Sequence, residues 1–132
     1  MGRINSFLKL SPFFLFCFTS SLCFATSDLF LIPKKNGGYN PVKVEQFQGV
    51  RVNSKCFSAK KCDAKDVINA PAKHPQVVSD PQGYAINPAS SLCHQVGGAS
   101  LIISDVRLNQ SDACLFKDGS FLLSMDLWKK FE

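Results

Sequence analysis

The stretch that decides the fold lies near the end of the chain and reads NPASSLCHQVGG over residues 87–98. Asn87 is a preferred helix N-cap, and Pro88 follows at the first helical position, where its missing N–H costs no hydrogen bond. Apolar residues then recur at i, i+3, i+4 and i+7, which predicts one buried helical face. They are Ala89, Leu92, Cys93 and Val96. The Gly-Gly pair that follows can adopt the left-handed conformation that ends a helix.

The residues after this helix predict a small antiparallel sheet. Ser100–Val106 is rich in Leu and Ile, and a polar connection separates it from a second strand at Ala113–Lys117. Lys117-Asp118-Gly119-Ser120 carries the Asp-Gly signal of a tight hairpin, and Phe121–Leu123 returns as a third strand. A last short helix follows, with Asp126 at its cap. The expected fold class is α+β: a small disulfide-stapled domain with one helix packed on a short antiparallel sheet.

The first half of the chain shows weaker patterns. Val42-Lys43-Val44 and Val50-Arg51-Val52 alternate apolar and polar residues, as half-buried strands do. Three prolines between residues 66 and 86 disfavour a long regular element, because proline lacks an N–H donor and restricts the residue before it. We therefore expect an N-terminal half that is largely irregular apart from possible short strands.

The N-terminus has the organisation of a secretory signal peptide. Arg3 and Lys9 precede an almost wholly apolar run from Leu10 to Phe24, and small residues follow. The run is short for a membrane span, so we expect cleavage after Ala25 and a periplasmic or secreted protein, with an uncleaved anchor as the alternative. Three segments result: the signal peptide (1–25), an N-terminal segment with a basic Cys loop and a Pro-containing linker (26–85), and the α+β Cys domain (86–132).

Four of the six cysteines remain after the signal peptide is removed. An even number of cysteines in an exported chain favours disulfides, and four cysteines allow three pairings. We favour Cys56–Cys62 and Cys93–Cys114, because each pair lies within one segment. The second bridge would tie the inward face of the predicted helix to the middle strand of the sheet.

Several features in the last third agree in order and spacing with a known family. They are Asn87-Pro88-Ala89-Ser90, Cys93, Gly97-Gly98, Cys114, Phe116 and Asp118-Gly119-Ser120. In these residues the chain resembles small exported bacterial domains that are labelled as haemolysins and classed as domain of unknown function 333. The family usually has further cysteines after the Asp-Gly-Ser turn, and residues 121–132 have none. The resemblance implies an envelope protein, and the haemolysin label implies no known mechanism.

The sequence contains no pattern that predicts catalysis or a cofactor. Metal ligands could be sought among Cys56, Cys62, His74, Cys93, His94 and Cys114, but the C-x5-C spacing and isolated histidines do not suit zinc. Cys93 and His94 are adjacent, and neighbours on a helix do not face each other. No nucleophile elbow, phosphate loop or paired-carboxylate motif occurs. We expect a protein that is not an enzyme, with no cofactor and no metal.

Positive charge is concentrated in the first half, where residues 26–85 carry nine basic and five acidic side chains. Four lysines surround the first cysteine pair, and they predict a binding patch: Lys55, Lys60, Lys61 and Lys65. A solvated loop is the alternative. Expected partners are an envelope protein or an anionic envelope component, without nucleic acid and without a stable membrane span after cleavage. The predicted function is an exported binding or structural module of the bacterial envelope; the alternatives are a membrane-active, toxin-like protein and an inhibitor of an exported protease.

Overall fold

The computed structural model describes residues 28–70, 81–82 and 87–132. The predicted signal peptide, His74 and most of the predicted linker lie outside these residues. Within them the chain forms six strands and three α-helices, and a 3-10 turn at Ser54–Phe57 precedes the first helix. In chain order the elements are β1 (Asp28–Pro33), β2 (Tyr39–Phe47), β3 (Val50–Asn53), α1 (Asp63–Asn69), α2 (Pro88–Gln95), β4 (Ala99–Asp105), β5 (Gln110–Leu115), β6 (Phe121–Leu123) and α3 (Ser124–Phe131).

The strands form one closed antiparallel barrel in the order β1-β2-β3-β6-β5-β4. β4 closes the ring by pairing with β1, with Phe30 opposite Asp105 and Leu31 opposite Ser104. The prediction of one helix on a short antiparallel sheet, with a largely irregular N-terminal half, is therefore wrong. Half of the strands come from residues 28–53, and their pairing with the C-terminal strands closes the barrel.

Alternate residues of the strands fill the barrel. In β2 these residues are Val42 and Val44, and in β6 they are Phe121 and Leu123. The period of two is the mark of strands whose one face is buried. The remaining side chains of this inner core are Phe30, Ile32, Leu101, Ile103, Ala113 and Leu115.

A second core lies between the outside of the barrel and the helices. β3 contributes Val50 and Val52 to it, so the alternation noted in Val50-Arg51-Val52 buries the valines against helices rather than inside the barrel. Cys114 and Leu122 point to the same core from β5 and β6. The helices cover these strands with Ala64, Ile68, Leu92, Cys93, Leu127 and Phe131.

Of the two predicted helix caps, Asn87 is confirmed and Asp126 is wrong. Asn87 caps α2 as predicted, because its side-chain Oδ1 accepts the N–H of Ala89 at 3.0 Å. Asp126 lies inside the first turn of α3, which begins at Ser124. Its carboxylate instead binds Arg51, whose Nε lies 2.7 Å from Asp126 Oδ2 and whose Nη2 lies 3.1 Å from Oδ1. This hydrogen-bonded pair raises the pKa of Arg51.

Both favoured disulfides are present. Cys56 pairs with Cys62, and Cys93 pairs with Cys114, each with a Cα–Cα distance of 5.4 Å. The first bridge closes the loop between β3 and α1. The second joins α2 to β5, as predicted, and both of its cysteines are fully buried.

Candidate ligand-binding cleft beside strand β2

A cleft of about 420 Å³ opens where β1 and β2 extend past the end of β3. Its apolar lining is formed by Ile32, Pro41, Val42 and Phe121. Its polar lining is formed by Asn40, Lys43, Asn53, Ser54 and Lys55, with Gly119 at the hairpin turn. The cleft thus combines an apolar floor at the mouth of the barrel with two amino groups at its rim.

The unequal lengths of β2 and β3 produce this cleft. β2 has nine residues and β3 has four, and the pairing between them runs from Phe47–Val50 to Val44–Asn53. Beyond that point the chain leaves β3 and enters the 3-10 turn. Residues 39–43 therefore pair with β1 alone, and residues 40–43 border the cleft on the other side.

A smaller cavity of about 220 Å³ continues from the cleft toward the Cys56–Cys62 loop. The two cavities share Asn53, Lys55 and Gly119, so they form one continuous depression. Lys61 adds a further amino group to the smaller cavity.

The Asp-Gly-Ser turn between β5 and β6 builds the wall of the smaller cavity by capping α1. Asp118 Oδ2 accepts the N–H of Asp63 at 2.8 Å, and Ser120 Oγ accepts the N–H of Ala64 at 3.1 Å. The residue at the N-cap of α1 is Cys62, which provides no side-chain hydrogen bond. The predicted hairpin residues therefore also perform the capping that the helix cannot obtain from its own sequence.

Asp118 is the one acidic residue among the described residues that line the two cavities. Partial desolvation opposes its ionisation, but hydrogen bonds from Asp63 and Ser120 outweigh that effect, so the pKa of Asp118 lies below its ordinary value. Its second oxygen, Oδ1, accepts the N–H and the hydroxyl of Ser120. Because both oxygens are engaged within the protein, Asp118 opposes an anionic ligand less than a free carboxylate would.

Asn53 lies where the two cavities meet. It is 7% exposed, and its Oδ1 accepts the N–H of Phe121 at 3.0 Å. The Cys56 sulfur lies 3.2 Å from the same oxygen, but it belongs to a disulfide and has no proton to donate. In the described part of the chain, the amide nitrogen of Asn53 has no hydrogen-bond partner, which leaves a donor for a ligand at this junction.

Two of the four predicted binding lysines line the depression. Lys55 borders both cavities, and Lys61 borders the smaller one. Lys61 also forms an ion pair with Asp63 at 3.5 Å, with its own side chain 78% exposed. An exposed pair of this kind is weak, so the amino group stays available to a ligand.

The other two predicted binding lysines lie elsewhere. Lys60 is exposed and borders neither cavity. The Lys65 amino group lies 4.0 Å from the centre of the Phe57 ring and 4.9 Å from that of Phe47. These cation–π contacts hold Lys65 between two aromatic rings on the protein's own surface.

Lys43 is the residue of the cleft that the charge cluster did not predict. It lies twelve positions before Lys55, inside a predicted strand. The alternation of Val42-Lys43-Val44 indicated a side chain pointing away from the barrel core, which the exposed Lys43 side chain fits. No sequence signal placed Lys43 and Lys55 on the same cleft, because their arrangement depends on how β2 and the 3-10 turn pack.

The cysteines and histidines do not form a reactive centre in the described residues. All four cysteines there are in disulfides, and His94 is exposed on α2. Over residues 28–70, 81–82 and 87–132, no group of three or more Cys, His, Asp or Glu side chains is arranged to hold a metal ion.

The part of the chain that the structure describes contains no helix long and apolar enough to cross a membrane. The depression combines an apolar floor with three lysines at its edge. No family model, curated protein or solved structure matches this chain.

Proposed function

We propose that this protein is a non-enzymatic binding module of the bacterial envelope, exported to the periplasm or secreted, and that it binds an anionic ligand in the depression beside β2. The predicted export signal and the resemblance to exported bacterial domains support the location. The basic character of the depression supports the ligand's charge.

One observation carries the proposal: Lys43, Lys55 and Lys61 border one continuous depression. Amino groups that surround a concave surface with an apolar floor raise the local concentration of anions and hold them by short-range pairing. The single acidic lining residue, Asp118, already has both oxygens hydrogen-bonded.

The proposal is tested with a defined anionic probe and a matched pair of variants. Hexaglutamate is titrated into the ¹⁵N-labelled exported protein, and amide shifts are followed by NMR. We expect the shifts to concentrate at residues 40–43, 53–55 and 118–121. The triple variant Lys43→Gln, Lys55→Gln, Lys61→Gln should bind about tenfold more weakly, since exposed ion pairs contribute roughly 0.2–1 kcal/mol each.

The control variant Lys60→Gln, Lys117→Gln, Lys129→Gln removes the same charge from exposed lysines that line neither cavity. It should bind hexaglutamate nearly as well as the wild type. Binding should also weaken as salt rises, because exposed charges are screened over about 10 Å at ~0.1 M ionic strength. Equal losses of affinity in both triple variants would show that net charge, and not the depression, controls binding.

A further inference from the structure

The first half of β2 has a free edge beside the cleft. The last pair that joins β2 to β3 is Val44 with Asn53, whereas pairing with β1 continues to Pro33 opposite Tyr39. Residues 39–43 therefore pair with a strand on one side only, and residues 40–43 border the cleft on the other side. An edge of this kind is the template to which an extended peptide can add as a further strand.

The hairpin between β2 and β3 sets the direction of the backbone groups along this edge. Phe47 lies opposite Val50 across a two-residue turn, so its N–H and C=O point toward β3. Backbone groups alternate in direction along a strand, so those of Lys43, Pro41 and Tyr39 point to the same side, away from β1, where Pro41 and Lys43 line the cleft. Pro41 fits this assignment, because a proline is tolerated in a strand where its missing N–H would not enter a ladder.

The C=O groups of Tyr39 and Pro41 and the N–H groups of Tyr39 and Lys43 therefore point away from β1. The C=O of Lys43 faces the same way but belongs to the end of the ladder with β3, beside the Val44–Asn53 pair. No turn or loop backbone hydrogen bond reaches the other groups from any residue that the structure describes. They offer an incoming strand a partial ladder on both sides of Pro41.

The side chains around the edge define what kind of strand would fit. On the barrel side, Val42 and Phe121 form an apolar surface, and Lys43 and Lys55 border the cleft with positive charge. Successive side chains of an added strand would alternate between these two surfaces. Proline and lysine also protect edge strands from aggregation, but protection alone does not explain an apolar floor and a second lysine across the cleft.

We propose that the ligand is an extended acidic segment of another polypeptide, which binds as an added strand along Tyr39–Lys43. Its apolar side chains lie over Val42 and Phe121, and its carboxylates pair with Lys43 and Lys55. This inference rests on the proposed function and names the partner of the same depression.

The test separates backbone pairing from charge by using blocked peptides of alternating glutamate and valine, five residues long. One peptide is unmodified, and a second carries N-methyl groups on alternate residues; a third places the methyl groups on the other residues. All three have the same charge and side chains. We expect one of the two methylated peptides to bind about tenfold more weakly than the unmodified one, because only one set of N–H groups faces β2.

Two variants test the same edge from the protein side. Lys43→Gln removes the charge and keeps the N–H, whereas Lys43→Pro removes both without breaking the ladder to β1. We expect Lys43→Pro to bind the unmodified peptide more weakly than Lys43→Gln. Thermal unfolding shows whether Lys43→Pro is folded, and the methylated peptides test the wild-type protein if it is not.

The outcomes separate this inference from the proposed function. Equal affinity for all three peptides, with hexaglutamate still bound at the depression, overturns strand addition and leaves the anion site in place. Shifts at the depression with phosphatidylglycerol vesicles but with none of the peptides overturn it in favour of a lipid headgroup. If no probe shifts the amide NMR signals of the depression, both strand addition and the anion site are overturned.

Discussion

Position 98 requires glycine because its surroundings leave no room for a side chain, and not because of its backbone conformation. It follows α2 and packs against the Cys93–Cys114 disulfide. A Cβ at this position would overlap the Cys114 sulfur and would lie 3.0 Å from the Cys93 sulfur. At the neighbouring Gly97, glycine is favoured by the backbone conformation instead. Its φ is 86°, and no atom lies within 4 Å of an added Cβ.

We predict that Gly98→Ala destabilises the protein by about 1–3 kcal/mol, because the added methyl group overpacks a buried bridge that cannot move aside. Urea unfolding of the oxidised protein measures the change. Gly97→Asn is the matched control and should cost much less, since asparagine tolerates the left-handed conformation. Equal stability of Gly98→Ala and the wild type, with the bridge still formed, would contradict the packing argument.

Asp118 makes a pH-dependent contribution that can be predicted in sign. The hydrogen bonds from Asp63 and Ser120 hold its pKa below the ordinary value of 3.8. A depressed pKa in the folded state stabilises the protein above the unfolded-state value, and the contribution is lost as pH falls through the folded value. Asp118→Ala also removes the hydrogen bond to the N–H of Asp63 and should cost about 1 kcal/mol at pH 7, the usual cost of losing a cap.

The cost of Asp118→Ala should shrink as the pH falls below 3.8, because the wild type then loses the same contribution. Thermal unfolding at pH values above and below 3.8 measures the difference between the two proteins. Lys117→Ala, at the exposed neighbouring position, should show no such convergence. A pH-independent difference would mean that ionised Asp118 is not the capping group.

At the scale of elements, local sequence signals were sufficient to locate a helix or turn whose ends are determined by its own residues. Asn87-Pro88 and the Gly-Gly pair located α2, and the Asp-Gly signal located the turn between β5 and β6. α1 was missed because its N-terminus is capped by the turn at Asp118–Ser120, more than fifty residues along the chain. β1 was missed because Leu29, Phe30, Leu31 and Ile32 are all apolar and show no alternation.

Local signals likewise predicted only the part of the candidate site that lies within one segment of the chain. The charge cluster indicated Lys55 and Lys61, which lie in one short loop. Lys43, Asn53 and Phe121 come from separate strands, and only barrel closure brings them to one depression. Contacts between residues far apart in sequence leave no periodic or compositional signal.

The Cys93–Cys114 bridge joins a helix to the barrel, and its removal tests that junction. We predict that the double variant Cys93→Ala, Cys114→Ala loses about 2–4 kcal/mol of stability, mainly because the unfolded chain gains freedom. Urea unfolding measures it. Cys56→Ala, Cys62→Ala should lose less, because that bridge spans 6 positions instead of 21. A larger loss from the short bridge would point to a role in holding the depression together.

At the scale of the whole molecule, Arg51 is one of the residues that link the two halves of the chain. Arg51 of β3 binds Asp126 of α3 through its backbone N–H and its guanidinium, and its Nη1 lies 3.5 Å from Asp28 of β1. Asp28 and Ile32 lie toward opposite ends of β1, and Ile32 lines the cleft. The ion pairs of Arg51 therefore stabilise the end of the barrel that is remote from the cleft. The fold thus places the ion pairs of Arg51 near one end of the barrel and the candidate binding surface near the other.

The start of β1 gives a structural context to the predicted export signal. Cleavage after Ala25 would leave two residues before Asp28, the first residue of the barrel. We predict that the exported protein begins at Thr26, because a charged start, an apolar run of about 15 residues and small residues at the cleavage site are typical of a signal peptidase substrate. N-terminal sequencing of protein from the periplasm or medium, beside the precursor from the cytoplasm, measures this. Met1 on the exported protein would contradict cleavage, and an N-terminus beyond Asp28 would remove a strand residue that pairs with Val44.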